Sequence, residues 1–175
     1  MQLIETVTLT GTESTILLDA IPAGYTDLLV VGSLRTTRSD GNQSQIGILL
    51  NGVGTSMSGR NLAGSGSAAT TFSRATPYVI IGSAPASTFT ANTFGSFSLY
   101  LPNYTSSSNK SFSADTVTEN NATLSEQAIV AGLWSNTAAI TSITFTELNG
   151  HSYVANSSVS IYGILAGSDG ITTVS

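Results

Sequence analysis

Apolar residues along the chain either alternate with polar ones or run in short blocks of about four to nine, broken roughly every 8 to 15 residues by turn chemistry. They do not recur at i, i+3, i+4 and i+7 over three turns, so no long helix is expected. The pattern predicts strands over 3–9, 15–19, 27–35, 45–51, 76–82, 94–101, 111–118, 128–135, 140–147 and 159–165. Asp27-Leu28-Leu29-Val30-Val31 and the run from Glu126 to Trp134 are apolar on both faces, the mark of central strands covered on each side. Phe97, Leu99 and Leu101 alternate with Ser96, Ser98 and Tyr100, which suits a strand with one wet face.

Asp40-Gly41, Asn51-Gly52 and Asn149-Gly150 are strong turn signals because Asn, Asp and Gly tolerate positive φ, and the last of them predicts a hairpin. Two stretches rich in small residues, 52–73 and 84–92, read as long loops, and 167–175 reads as a loose tail. No internal repeat and no linker divides the chain. The expectation is therefore one all-β domain over 1–166 with a short N-terminal strand. It is an antiparallel β-sandwich, with a jelly roll favoured because about ten strands fill two sheets, and an immunoglobulin-like sandwich as runner-up.

Composition sharpens this picture. Charged residues are only 9 % of the 175, against about a quarter in an average soluble protein, while 41 % are hydrophobic. Ser and Thr supply 52 residues, so the polarity is hydroxylic rather than ionic. β-branched Thr suits strand surfaces, and Ser, Asn and Gly suit turns. The net charge of −5, with five cations scattered singly at Arg35, Arg38, Arg60, Arg74 and Lys110, offers no basic stripe for phosphates, so nucleic acid is not an expected partner. No apolar run approaches 18 residues and no leader pattern follows Met1, so the expectation is synthesis in the cytoplasm without a membrane span.

Chemistry-bearing residues are sparse. With no cysteine and a single histidine, the sequence holds no disulfide framework, thiol nucleophile or multi-histidine metal site, and no metal or cofactor is expected. His151 follows Asn149-Gly150 and reads as a solvated turn residue, because no Gly-x-Ser-x-Gly elbow presents a nucleophile to it. Asp115, Glu119 and Glu126 read as solvated acids rather than a glycosidase pair. Gly52-Val53-Gly54 and Gly64-Ser65-Gly66 lack the remaining positions of a phosphate-binding loop. Five Asn-x-Ser/Thr matches, such as Asn103-Tyr104-Thr105, are what an Asn-, Ser- and Thr-rich chain produces without selection for glycosylation. Trp134 is the only tryptophan and reads as an anchor of the core or of an interface, with a sugar-stacking platform as the alternative. Tyr100, Tyr104 and Tyr162 are the further candidate anchors, with Tyr100 and Tyr104 also suited to a glycan.

Six segments taken in order carry a resemblance: Tyr25-Thr26-Asp27-Leu28-Leu29-Val30-Val31-Gly32-Ser33-Leu34-Arg35, Leu50-Asn51-Gly52, Pro102-Asn103-Tyr104, Ala131-Gly132-Leu133-Trp134-Ser135, Ala139-Ile140-Thr141-Ser142-Ile143 and Ser160-Ile161-Tyr162-Gly163-Ile164. Together they resemble a β-sandwich virion structural domain of tailed bacteriophages, especially those of marine bacteria and cyanobacteria. The chain departs from that pattern at Val53 and Met57, where an acid and an aromatic are expected. The resemblance implies a non-enzymatic role on the outside of the particle, with the major capsid protein as partner. The short chain, without heptad shaft or repeat array, favours capsid decoration over a tail or fibre component. A carbohydrate-binding module is the more distant alternative, with a glycan as its partner. Strands without charge, such as 76–82 and 159–165, lack the lysines that protect free sheet edges, which predicts a homo-oligomer, a trimer favoured by capsid lattice symmetry.

Overall fold

The computed structural model describes residues 1–75, 77–121 and 124–166, so the tail expected over 167–175 lies outside the described residues. Among the described residues, twelve strands form two antiparallel sheets packed face to face: β1 (Gln2–Thr8), β2 (Thr15–Leu18), β3 (Asp27–Leu34), β4 (Ser44–Leu50), β5 (Met57–Gly64), β6 (Ala69–Ala75), β7 (Val79–Ala84), β8 (Gly95–Leu101), β9 (Lys110–Glu119), β10 (Ser125–Trp134), β11 (Ile143–Glu147) and β12 (Ser158–Ile164). The large sheet has eight strands in the order β1-β12-β3-β8-β9-β10-β5-β6, and the small sheet has four, β2-β11-β4-β7. The chain is an antiparallel β-sandwich, as its alternating pattern predicts.

Setting aside the hairpins β5–β6 and β9–β10 leaves two nested quartets, β1-β12-β3-β8 and β2-β11-β4-β7. The chain crosses from one sheet to the other at eight of its connections and stays within a sheet only through β5–β6 and β8–β9–β10. This corrects the hairpin expected at Asn149-Gly150. Gly150 does take a positive φ of 82°, but the turn carries the chain from the small sheet to the large one. Glu147 shapes it by accepting the backbone N–H groups of Asn149 at 3.0 Å and His151 at 2.6 Å.

The stretch 52–73 is no loop, because β5 and most of β6 occupy it. Met57, Gly59, Asn61 and Ala63 are buried and alternate with Ser58, Arg60, Leu62 and Gly64. The inward residues are small because β7 passes close above them: a Cβ on Gly59 would lie 2.7 Å from Val79 Cγ1. Asn61 reaches up and donates its Nδ2 to the Ile80 carbonyl at 3.0 Å. Across the same gap, a Cβ on Gly82 would lie 1.9 Å from Thr116 Oγ1.

This overlay also corrects the edge argument. β12 is interior, between β1 and β3, and all six residues of β7 are buried although it ends the small sheet. The strands left at edges are β1, β6 and the four-residue β2.

The core lies between the sheets. Phe97 of β8 and Phe145 of β11 meet across it with ring centres 5.1 Å apart. Glycines admit aromatic rings on the inner face of the large sheet: Gly32 lies under Phe97, Gly132 under Phe112 and Gly163 under Tyr25. The segment 84–92 is a loop, as expected, and buried Arg35 holds it by donating to four carbonyls, those of Ser87, Phe89, Thr90 and Thr93, at 2.7–3.1 Å. Asn51 similarly binds the segment before β11, donating to Ala139 O at 2.8 Å and accepting Thr141 N at 2.7 Å, so that strand starts at Ile143 rather than 140.

Candidate functional site

The small sheet covers only the inner face of the large one, leaving the outer face open. β10 shows the consequence most plainly. Ala128, Val130 and Trp134 are buried while Ile129, Ala131 and Leu133 are exposed, so the run from Glu126 to Trp134 is not covered on both sides as its apolar content predicts. Leu62, Val117, Ile129 and Leu133 are between 38 and 53 % exposed on this face. On β3 the same face is half-buried at Leu29 and Val31.

Cross-strand register sets the order of groups along the face. One row runs Ser160, Val31, Ser98, Asp115, Ile129, Leu62 and Thr71. Asp115 accepts the Ser98 hydroxyl at 2.8 Å. The neighbouring row carries Tyr162, Leu29, Tyr100, Ser113, Ala131, Arg60 and Ser73. Arg60 and Asp115 therefore flank the apolar strip of β10 from opposite sides. A trough of about 820 Å³ lies here, lined by both charges, Ile129, Leu62 and Ala131.

The four anchor candidates divide between core and face. Trp134 is 1 % exposed and Tyr104 is fully buried, its hydroxyl donating to the Pro22 carbonyl. Burial raises the Tyr104 phenol above its ordinary value. Tyr100 is 38 % exposed on the outer face, and Tyr162 is half-buried on the same face two strands away. Tyr100 is fixed there by donating to Asp27 Oδ2 at 2.7 Å, a bond that raises its pKa, while Asp27 Oδ1 accepts Asn103 N at 2.8 Å.

Of the acids considered for chemistry, Asp115 lies in the trough. Glu119 and Glu126 pair with Ser125 and Thr118, which places them on opposite faces of the hairpin end. Among the described residues, no three His, Cys, Asp or Glu side chains gather as metal ligands. Sequence reasoning missed Arg60 and Leu62 because it read their strand as loop. The alternation of Ser58, Arg60 and Leu62 with Gly59, Asn61 and Ala63 was the available signal. No family model, curated protein or solved structure matches this chain.

Proposed function

We propose that the chain is a virion structural protein of a tailed bacteriophage that decorates the exterior of the assembled head. The observation that carries this reading is where the six resembling segments fall. They occupy β3, β10 and β12 of the large sheet, the turns after β4 and β8, and the approach to β11 of the small sheet. The resembling segments thus touch both sheets instead of one hairpin. The two nested quartets support it further, being compatible with the favoured jelly-roll reading, an architecture shared by capsid and lectin domains.

In this reading the chain carries out no reaction. It binds the mature shell and stabilises it by mass action, many weak copies adding up where no single contact is strong. The partners are the major capsid protein and further copies of the chain. Strand β6, uncovered on one side at the end of the eight-stranded sheet, is the edge best placed for pairing between copies, with a trimer matching the three-fold positions of a capsid lattice.

The test is cryo-electron microscopy of the virion together with the copy number of the protein. Decoration predicts density over the head and an abundance comparable to the major capsid protein. Density confined to the tail vertex would replace the proposal with a tail or adsorption role. Light scattering coupled to size exclusion addresses assembly separately, a strictly monomeric mass at micromolar concentration counting against the trimer.

A further inference from the structure

The trough does not stand alone. A depression beside it shares Ser98 and Asp115 and continues toward Ser160, and another shares Leu62 and Ile129 and continues toward Ala69. Together they form one groove across the outer face from β12 to β6, seven strands and roughly 29 Å at ordinary strand spacing. It crosses the strands.

That direction restricts what can lie in it. The backbone N–H and C=O groups beneath are used in the antiparallel ladders, so a peptide cannot add as a further strand there. Recognition must come from side chains. Toward β12 these are hydroxyls, Ser158, Ser160, Ser33, Ser96 and Ser98. In the middle, one acid and one cation of opposite sign flank apolar Ile129 and Ala131. On the bank, Tyr100 presents an amphipathic ring held in place by Asp27. Hydroxyls to bond ring oxygens, a carboxylate and a guanidinium to bridge diols, and apolar floor for C–H faces together match a polyhydroxylated ligand without net charge. The span across seven strands suits a chain gripped along its length instead of at its terminus.

The geometry points to this groove as a binding site for an extended neutral polysaccharide. The inference stands apart from the head-decoration proposal, because binding is a property of the isolated chain. Native electrophoresis of the purified protein through gels containing dextran, galactomannan, xylan or mixed-linkage glucan tests it, with dextran sulfate as the charged control. Retardation is expected in at least one neutral polymer and should be little changed between low and high salt. Asp115→Ala and Ile129→Glu, both at exposed positions, should weaken it about tenfold or more at unchanged melting temperature. Leu17→Glu, exposed on the opposite sheet, should leave it intact. If Ile129→Glu fails to fold, Asp115→Ala decides alone. No retardation by any of the four, retardation by dextran sulfate alone, or equal retardation of the groove variants and the parent would overturn the site.

Discussion

The Lys110 ammonium sits 5.9 Å from the centre of the Trp134 ring, and the two residues are directly paired across the β9–β10 ladder. Each is only 1 % exposed. The charge is met by the carbonyls of Ser106 at 2.6 Å, Ser108 at 2.8 Å and Asn136 at 3.3 Å, and desolvation lowers the amine's pKa below its ordinary value. The tryptophan ring thus walls a buried cation as well as filling the core. Trp134→Ala should cost about 3–5 kcal/mol, measured by denaturant unfolding. A variant as stable as its parent would show that the ring is no anchor.

Arg35 ties the loop after β7 to the end of β3 through four carbonyl bonds. Arg35→Ala should destabilise the fold by about 2–4 kcal/mol, since those acceptors lose a charged donor. Hydrogen exchange should accelerate first in 86–93, ahead of the sheets. Uniform acceleration across the protein would mean that the arginine holds the whole fold and not this loop.

Gly132 and Phe112 form a matched pair, and a Cβ on the glycine would lie 2.1 Å from Phe112 Cε2. Gly132→Ala should cost about 1–3 kcal/mol by displacing that ring. Adding Phe112→Leu should make the pair of changes less harmful than the sum of the two singles, a coupling that a double-mutant cycle reads directly. Strict additivity would count against the contact.

The Tyr153 side chain is fully buried, and its hydroxyl has no hydrogen-bond partner among the described residues. Burial and nearby Glu147 raise its pKa far above the ordinary value. As pH rises past about 10 the unfolded chain releases this proton while the folded chain keeps it, so the unfolded state binds fewer protons and stability falls. The loss amounts to about 1.4 kcal/mol per pH unit for this one group. Tyr153→Phe should remove that slope and, with no bond to lose, should be neutral or slightly stabilising at pH 7. In parallel stability profiles from pH 9 to 11.5, a slope kept by the variant would show that the loss comes from other groups, and stability lost at pH 7 would show the hydroxyl to be paired.

The alternation of β8, with Phe97, Leu99 and Leu101 inward, was legible because side-chain period alone decides it. β5 was not. Its buried residues include Gly59, Asn61 and Ala63, whose smallness answers to Val79 and Ile80, partners that no local pattern reveals. In β10 the failure is the converse, since apolar Ile129 and Leu133 look like core residues locally and yet stand on an open face. The candidate groove was hidden for the same reason: its members come from seven strands, and only the register brings Asp115, Ile129 and Leu62 side by side. Tyr100 and Trp134 were identifiable by residue type, but the division of one to the surface and the other to the core was not.

β1 pairs with β12 alone in its sheet, joining Leu3 to Tyr162 and Thr8 to Ser158. On the ribosome, β1 therefore has no partner in this sheet until residues near 164 have been made, and the neighbouring β3 likewise waits for β12 along one of its sides. The hairpins β8–β9–β10, by contrast, can zip as they appear. Closure is thus deferred until β12 has been made, which makes for slow folding and for a nascent chain carrying open strand edges while it waits.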